Sequence, residues 1–518
     1  MRKNNFLYIA LALIFVSCND FLDTLPDNRT EIDAESKVTS LLVSAYPEIT
    51  SAMMTEMASD NAMDNTAKYA VDSKEQEQAY LWNDITELSN DSPIAFWEAC
   101  YTAISAANLA LESIAQMDNA EKLNAQRGEA LICRAYAHFA LANVFCLAYN
   151  PETSDSDLGI PYISDTETEI NSEHTRGTMR DLYEKINDDI EAGLPLINDE
   201  IYSVPKYHFN KKAAHAFATR FNLYYHNYDK VIEYANVVLG KEPLNMMKDW
   251  TAMTLGAATN WDLRVDKYIN ASEPANLLLL PVTSSWGYLV GGVYSGLGSR
   301  YAHSRTICAL ETGRANGMWG DYNNLLPFRT MWGNEMKISV AKIGGYFYYV
   351  DKVNGMGYRK NVILAFSADE TLLCRAEAYA LKGKEFLNQA TADINVWLAS
   401  HTMNGLSVTT QEIVDFYGGI SSMPINNSTR TIKREIKPQG FTVTKGEQKE
   451  MIQCILHLRR IENIHEGLRW EDIKRYGIEF SHNRDGLAND VLKVDDPRRA
   501  IQLPQDVINA GLEANPRN

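Results

Sequence analysis

Apolar residues recur every three to four positions along most of this chain, which is the spacing of one face of an α-helix. Such apolar faces occupy residues 99–114, 131–146, 214–238 and 372–399. Alanine fills many of these positions, and its small side chain lets neighbouring helices approach each other closely. The pattern therefore predicts a mainly α-helical protein built from amphipathic helices that pack against one another.

Short breaks divide these apolar segments into pairs of helices. Residues 211–239 are interrupted near 226–229, and residues 369–400 are interrupted near Gly383. Each of these segments is close in length to one tetratricopeptide unit of about 34 residues. Residues 95–147 form another pair with a longer connection, but the spacing from pair to pair is irregular. The sequence therefore predicts helix pairs separated by long insertions, not a regular solenoid.

The longest insertion, residues 240–360, differs in composition from the helix pairs. It holds 15 of the 29 glycines and 5 of the 9 tryptophans in the chain. Glycine marks loops and close approaches of the backbone. Long connections inside a compact domain are usually functional or disordered, and this one is too rich in tryptophan for disorder. We therefore expect the functional site in this insertion.

The N-terminus has the layout of an export signal. Arg2 and Lys3 precede an apolar stretch at 6–16, and Ser17-Cys18 follows. The stretch is too short for a comfortable transmembrane helix, and no later apolar run reaches the length of about 20 residues that such a helix needs. A small residue before a cysteine at this point resembles a bacterial lipobox; an ordinary signal peptide with an incidental cysteine is the alternative. The predicted divisions are a signal peptide (1–17), a lipidated tether starting at Cys18 (18–39) and a single domain (40–518).

Composition narrows the range of partners. The chain has 49 Lys and Arg against 67 Asp and Glu, with a formal net charge of -18. A nucleic-acid surface needs a clustered positive field, so we expect no nucleic-acid partner. The six cysteines after Cys18 lie mostly in apolar helical patterns without CxxC spacing, which predicts mostly free, buried thiols. The ten histidines are scattered and form no H-E-x-x-H motif, so we expect no metal and no cofactor.

Several separated motifs resemble those of one known family. Each motif is short, but together they follow the family's order and cover nearly the whole chain after Cys18. They are NDFLD at 19–23, W-x-x-x-Y-x-x-I-x-x-A-N at 97–108, RAY at 134–136, DLGIPY at 157–162, RAEAYA at 375–380, RRIE at 459–462, EGLRWEDIKR at 466–475, LPQ at 503–505 and NP at 515–516. The chain resembles the SusD/RagB-type nutrient-binding outer-membrane lipoproteins of Bacteroidetes.

This resemblance implies a fold and a role. The fold would be mainly α, with about four tetratricopeptide-type helix pairs as a frame and a loop-rich half with little β structure. The role would be the capture of oligosaccharides at the surface of the outer membrane and their delivery to a SusC-like TonB-dependent channel, which the lipoprotein caps like a lid. Neither catalysis nor a cofactor is implied, and the lipid anchor would be the only contact with the membrane.

Sugar binding directs attention to aromatic and planar polar side chains. The C–H side of a pyranose packs on flat apolar faces, and its hydroxyl groups bond to carboxylates, amides and guanidinium groups. In the insertion, several aromatic residues stand next to glycines that leave a ring face open, and residues 59–61 and 80–84 offer similar chemistry. For each aromatic ring, packing within a loop is the alternative. The predicted ligand-binding residues are Asp60, Asn61, Trp82, Trp286, Tyr288, Trp319, Tyr322 and Trp332.

Two other functions remain open at this point. A surface glycoside hydrolase would use a pair of carboxylates, and Glu462 and Glu466 have the i, i+4 spacing that places both on one face of a helix. The neighbouring Arg459, Arg460 and Arg469 would hold both glutamates ionised, so buried ion pairs are the better interpretation. The second alternative is a tetratricopeptide-type scaffold that binds peptides or proteins. The sequence favours a non-catalytic glycan-binding lipoprotein.

Overall fold

The computed structural model describes residues 32–166, 174–255, 260–291, 298–329, 331–334 and 336–517. The predicted signal peptide and Cys18 lie outside these residues. The helices are α1 (Glu35–Leu42), α2 (Ala52–Ala58), α3 (Lys74–Tyr80), α4 (Pro93–Gln116), α5 (Asn124–Phe145), α6 (Met179–Gly193), α7 (Lys211–Tyr224), α8 (Tyr228–Leu239), α9 (Trp250–Leu255), α10 (Trp261–Tyr268), α11 (Trp286–Gly291), α12 (Arg305–Glu311), α13 (Leu326–Arg329), α14 (Ala368–Lys382), α15 (Leu387–His401), α16 (Thr410–Gly418), α17 (Glu447–Glu462), α18 (Arg469–Arg475) and α19 (Gln505–Asn509). The strands are β1 (Met63–Asp64), β2 (Asn276–Thr283), β3 (Tyr301–Ala302), β4 (Trp332–Gly333), β5 (Ile338–Ser339), β6 (Tyr346–Asp351), β7 (Met356–Ser367), β8 (Phe480–Arg484) and β9 (Leu487–Leu492).

The predicted helix pairs form the frame of the protein. They are α4 with α5, α7 with α8, and α14 with α15, and α16 packs on α17 as a fourth pair. Helix α14 is central, because it also contacts α8 and α17. The apolar faces of these helices merge into one large core cluster. The prediction of a mainly α fold on a frame of helix pairs is confirmed.

Buried arginines join the frame helices to one another. Arg134 of α5 makes two hydrogen bonds, of 2.7 and 2.6 Å, to the carboxylate of Asp189 on α6. Arg220 of α7 bonds in the same way to Glu370 on α14. A third pair connects Arg375 of α14 to Asp393 of α15. Bidentate arginine–carboxylate pairs of this kind fix the relative position of two helices more tightly than apolar packing does.

Local sequence explains where the long frame helices begin. Helix α4 starts at Pro93, a position where proline costs no hydrogen bond, and the Ser92 hydroxyl accepts a hydrogen bond from the Ala95 N–H. Helix α14 starts in the same way, with the Ser367 hydroxyl accepting from the Glu370 N–H.

Helix α4 is long and apolar enough to cross a membrane by length and composition alone. It packs against α1 and α5, however, as a core helix of the frame.

The folded part of the chain begins at an earlier residue than the sequence predicts. Helix α1 begins at Glu35, inside the range 18–39 assigned to the tether, and buries Val38 and Leu42 in the core. The six cysteines of the body are all buried and free, as expected.

The β structure is sparse and lies mostly in the insertion. Strands β2, β7 and β6 form an antiparallel sheet in that order, and the other strands form two-stranded pairs. Strand β7 continues directly into α14, which attaches this sheet to the frame. Strand β6 lies at an edge of the sheet, and the β6–β7 hairpin projects from it with Tyr348 opposite Tyr358.

A buried charge cluster joins parts of the chain that are far apart in sequence. Asp60, just after α2, accepts hydrogen bonds from Arg434 at 3.2 Å and from Arg469 of α18 at 2.8 and 3.0 Å. Arg460 of α17 donates to the Asp60 carbonyl oxygen at 2.7 Å and to Glu311 of α12 at 3.1 Å. Burial by itself raises the pKa of Asp60, but the three guanidinium groups outweigh it and hold that pKa well below its ordinary value.

Removing the Asp60 charge should destabilise the protein strongly. Asp60→Asn leaves buried guanidinium groups without compensation, and breaking such a buried pair costs about 3–5 kcal/mol. Urea unfolding followed by circular dichroism measures the loss. The control is Asp155→Asn, which removes an exposed pair with Arg180 and should leave the unfolding free energy nearly unchanged. Equal stability of Asp60→Asn and the wild type would contradict a structural role for this cluster.

The buried His138 side chain makes the free energy of unfolding depend on pH. Its Nδ1 atom is 2.9 Å from the Arg134 carbonyl oxygen, and its Nε2 atom accepts from the Ile163 N–H at 3.0 Å, so the neutral ring is fully bonded. Burial lowers the pKa of His138 from 6.5 to about 3. The unfolded chain therefore binds a proton below pH 6.5 that the folded chain does not, and the free energy of unfolding falls as the pH drops from 6.5 towards 3.

The His138→Gln variant isolates this contribution. Its slope of unfolding free energy against pH should be shallower than that of the wild type by about 1.4 kcal/mol per pH unit between pH 4 and 6. Urea unfolding across this range measures both slopes, and His174→Gln, at an exposed histidine, is the control. An unchanged slope in His138→Gln would mean that His138 is protonated in the folded protein.

Candidate functional site

Asp60 and Asn61, which the sequence predicts as ligand-binding residues, belong instead to the buried charge cluster. Asp60 is 3% exposed and Asn61 is 1% exposed. Asn61 accepts from Arg460 at 2.8 Å and donates to Glu56 at 3.1 Å. Every polar group that could have faced a sugar is thus used inside the protein. The structure contradicts the prediction for both residues.

Three of the predicted tryptophans are also buried, so their ring faces are closed. Trp82 stacks on His482 at a centroid distance of 4.2 Å, and its indole N–H donates to the Ala58 carbonyl. The Trp286 indole donates to the His465 carbonyl at 2.8 Å. Trp319 packs against His457 in the main core. The expectation of open ring faces is wrong for Trp82, Trp286 and Trp319, because each ring fills space between elements.

The other three predicted residues are partly exposed, and each has its own neighbours. The Tyr288 ring packs on the backbone of Gly345 and lies 4.8 Å from the Arg359 guanidinium. Trp332 makes an edge contact with Trp261. Tyr322 lies in a surface groove. The predicted residues therefore do not converge on one platform, and Tyr322 has the surroundings that best suit a ligand.

The groove at Tyr322 is open and has a volume of about 530 Å³. Its polar lining residues are Arg314, Asn316, Asp321 and Thr431, and its apolar lining includes Leu310, Ile420 and Ile432. A volume in this range fits a small ligand. A half-exposed aromatic ring surrounded by guanidinium, amide and carboxylate groups is the combination that sugar binding requires.

Local geometry fixes the side chains of this groove. Gly320 has φ of +74°, which turns the chain, and Asp321 then caps the following turn by accepting hydrogen bonds from the Asn323 N–H and side-chain amide. This turn sets the position of Tyr322. On the other side, Gly313 lies against the Phe328 ring where a Cβ atom would overlap it, so the chain before Arg314 is held closely.

Arg314 is the cation of the groove. Its guanidinium carbon is 5.5 Å from the centre of the Tyr322 ring. Its Nε atom is buried and has no hydrogen-bond partner among the described residues. Arg314 is not among the predicted residues, although it lies between helix α12 and the predicted segment 319–322. A buried donor without an acceptor is costly, and a bound ligand would relieve that cost.

The most exposed aromatic surface in the described part of the chain is not among the predicted residues. Phe347, Tyr348 and Tyr349 on β6 and Tyr358 on β7 are between 39% and 62% exposed. Phe347 and Tyr349 share one face of the hairpin, with ring centroids 4.7 Å apart, and Tyr348 faces Tyr358 across the strands. The run of four aromatic residues at 346–349 was the available signal.

The carboxylates considered for catalysis both form ion pairs, and Glu462 is buried while Glu466 is partly exposed. Helix α17 ends at Glu462, so Glu462 and Glu466 do not share a helix face, which corrects the sequence-based placement. Glu466 accepts from the Tyr268 hydroxyl at 2.7 Å and pairs with Lys342 at 3.3 Å. Arg459, Arg460 and Arg469 form buried ion pairs, as expected, but their partners are Asp472, Glu311 and Asp60 and not the two glutamates.

One group within the described ranges has the side chains of a metal site. Asp369, His401 and Glu462 are buried, and their ligand-type atoms lie within 4.8 Å of one another. His401 Nδ1 is 2.9 Å from the Trp397 carbonyl oxygen, and His401 Nε2 is 2.8 Å from Glu462. Both ring nitrogens therefore lie at hydrogen-bond distance from oxygen atoms of the protein. Burial raises the pKa of Glu462, but the contacts with His401 outweigh burial and lower that pKa to about 2.

Comparison with known proteins gives a match to a family over the first part of the chain. A SusD-like family model, described as starch-binding and associating with the outer membrane, matches residues 20–223. No curated protein matches the chain.

Solved structures match over nearly the whole chain. A SusD superfamily protein from Bacteroides thetaiotaomicron has 17% identity and a TM-score of 0.61, and the match covers 93% of this chain and 99% of that one. A SusD-like carbohydrate binding protein from Bacteroides vulgatus has 14% identity, a TM-score of 0.56 and 89% coverage of both chains. A laminarin binding SusD-like protein has 14% identity, a TM-score of 0.53 and coverage of 93% and 99%. At these identities the likeness shows a common fold. The chain therefore has the fold of the SusD superfamily structures, and its residues 20–223 also match the SusD-like family model.

Proposed function

We propose that this chain is a surface lipoprotein that captures oligosaccharides in the Tyr322 groove and passes them, without catalysis, to a TonB-dependent channel in the outer membrane. The observation that carries the proposal is the groove itself. Its half-exposed aromatic ring has guanidinium, amide and carboxylate groups around it. In this arrangement the ring packs on the C–H face of a sugar while Asn316 and Asp321 bond to its hydroxyl groups.

The family supports the ligand class and the location. Its model is described as starch-binding and associating with the outer membrane, and one relative in fold is a laminarin binding protein. The lipobox-like sequence at Cys18 supports a lipid anchor, because acyl chains hold a protein to a membrane by burying methylene groups at about 0.8 kcal/mol each.

The groove chemistry favours binding over hydrolysis. Glycosidases flank the scissile bond with two carboxyl groups about 5–10 Å apart. Among the groove-lining residues that the structure describes, Asp321 is the one carboxylate, and its Oδ1 atom already accepts two hydrogen bonds from Asn323. Glu462 and Glu466, the pair that the sequence offered, are held in ion pairs with His401 and Lys342.

The Tyr322→Ala variant tests the site. It should weaken glycan binding about tenfold, equivalent to about 1.4 kcal/mol, with little change in melting temperature because the ring is partly exposed. Calorimetry against a panel of neutral and acidic oligosaccharides measures binding, and a reducing-end assay runs alongside. The matched control is Tyr348→Ala, which removes an exposed ring from the β6–β7 hairpin.

Three results would contradict parts of this proposal. Loss of binding in Tyr348→Ala with full binding in Tyr322→Ala would move the site to the hairpin. New reducing ends would make the protein a glycosidase. No binding to any glycan by the wild type would favour the scaffold alternative.

The Cys18→Ala variant tests the anchor and the partner. Wild-type protein with a C-terminal tag should sediment with outer membranes and, after detergent extraction, bring down a large β-barrel protein. Cys18→Ala should leave the membrane fraction, because no acyl chain can attach. Retention of the variant in the membrane would contradict lipidation at Cys18, and the absence of a β-barrel from the wild-type preparation would contradict the delivery step.

A further inference from the structure

We infer that the Tyr322 groove selects an anionic sugar, one that carries a carboxylate or a sulfate group. This inference rests on the proposed function, because it names the class of glycan that the same groove would hold. Its basis is the state of Arg314 and the charges that surround it.

Arg314 lacks the acidic partner that the frame arginines have. Each of these frame arginines donates two hydrogen bonds to one carboxylate, as Arg134, Arg220 and Arg375 show. Arg314 forms no ion pair with any described residue, and its buried Nε has no acceptor there. The chain has 67 acidic residues against 49 basic ones, so carboxylates are plentiful. An unpaired guanidinium in an open groove is therefore a candidate binding group for an anion.

The other charged groups near the groove do not form an ion pair with Arg314. Asp321 lines the groove, but its Oδ1 atom is engaged by Asn323 in capping the turn. Arg430, next to the lining residue Thr431, is neutralised by a contact with the buried Glu311. Among the lining residues that are described, Arg314 is consequently the one cation.

The geometry suits a sugar acid better than a free anion. A guanidinium binds a carboxylate or sulfate through two parallel hydrogen bonds, which fixes the orientation of the group. The partly exposed Tyr322 ring, whose centre is 5.5 Å from the guanidinium carbon, supplies an aromatic contact for the sugar beside this charge. Apolar Leu310, Ile420 and Ile432 line the rest of the groove. One ligand with a charged edge and an apolar ring face satisfies all of these groups.

A second tyrosine–arginine pair provides a matched control. Arg359 lies 4.8 Å from the Tyr288 ring, is exposed and forms no ion pair with any residue that the structure describes. It lies outside the groove, on β7. Arg359→Gln therefore removes the same charge from beside a tyrosine ring without altering the groove.

The experiment compares three probes by calorimetry at 50 mM NaCl: tetragalacturonate, a chondroitin 4-sulfate tetrasaccharide and laminaritetraose. The wild type should bind at least one anionic probe tenfold or more tightly than laminaritetraose, and this affinity should fall steeply at 500 mM NaCl. Arg314→Gln should lose at least tenfold in affinity for the anionic probe, Arg314→Lys should lose less, and Arg359→Gln should match the wild type. Preference for the uronate or for the sulfate identifies the anionic group, and both preferences support the inference.

The inference and the proposed function fail in different ways. If laminaritetraose binds as well as the anionic probes, and Arg314→Gln binds like the wild type while Tyr322→Ala loses binding, the groove binds neutral glycans and the inference is overturned. If Tyr322→Ala and Arg314→Gln both bind every probe like the wild type, the groove is not the site and the proposed function falls with it. Melting temperatures of all variants confirm that they are folded.

Discussion

Burying charge is the constraint on which the rest of this structure depends. Asp60, close to the N-terminal end of the folded body, pairs with Arg434 and Arg469, which lie more than 370 residues later in the chain. Arg460 continues the cluster to Glu311 in the insertion. Ions removed from water are tolerated only when each has a partner in good geometry. The cluster therefore forces the start of the chain, the insertion and the C-terminal helices into a single arrangement.

The same logic explains why most of the predicted ligand-binding residues are buried. Asp60 and Asn61 complete the charge cluster, and Trp286 donates its indole N–H to a carbonyl beside it. In the Trp286-Gly287 and Trp332-Gly333 pairs of the insertion, glycine allows a close approach of the backbone and does not leave a ring face open. Gly287, for example, lies so near the Gly344 carbonyl that a Cβ atom would come within 2.3 Å of its oxygen. What is left for a ligand is the set of groups that the interior does not use: Tyr322, Arg314 and the exposed hairpin.

The sequence predicted correctly those features that depend on residues close together in the chain. A repeat of 3.6 residues predicted the helices around α4, α5, α7, α8, α14 and α15, because each apolar face must be buried against a neighbour. Buried cysteines and buried ion pairs near 459–469 followed from the same patterns. The placement of Glu462 and Glu466 on one helix failed, because the helix ends at Glu462 and the chain turns through His465, whose φ is +69°.

Sequence alone thus determined that the chain is a helical frame with a glycine- and tryptophan-rich insertion, and it carried the motifs of the family. Only the tertiary structure decided which polar and aromatic side chains are available at the surface. Periodicity reports which face of a helix is apolar, but the partner of a charged group in a loop is set by contacts hundreds of residues away. Arg314 and Arg434 have the same side chain and both follow irregular segments. Arg434 pairs with the carboxylate of Asp60, whereas Arg314 has no carboxylate partner among the described residues. Only the folded chain distinguishes the two arginines.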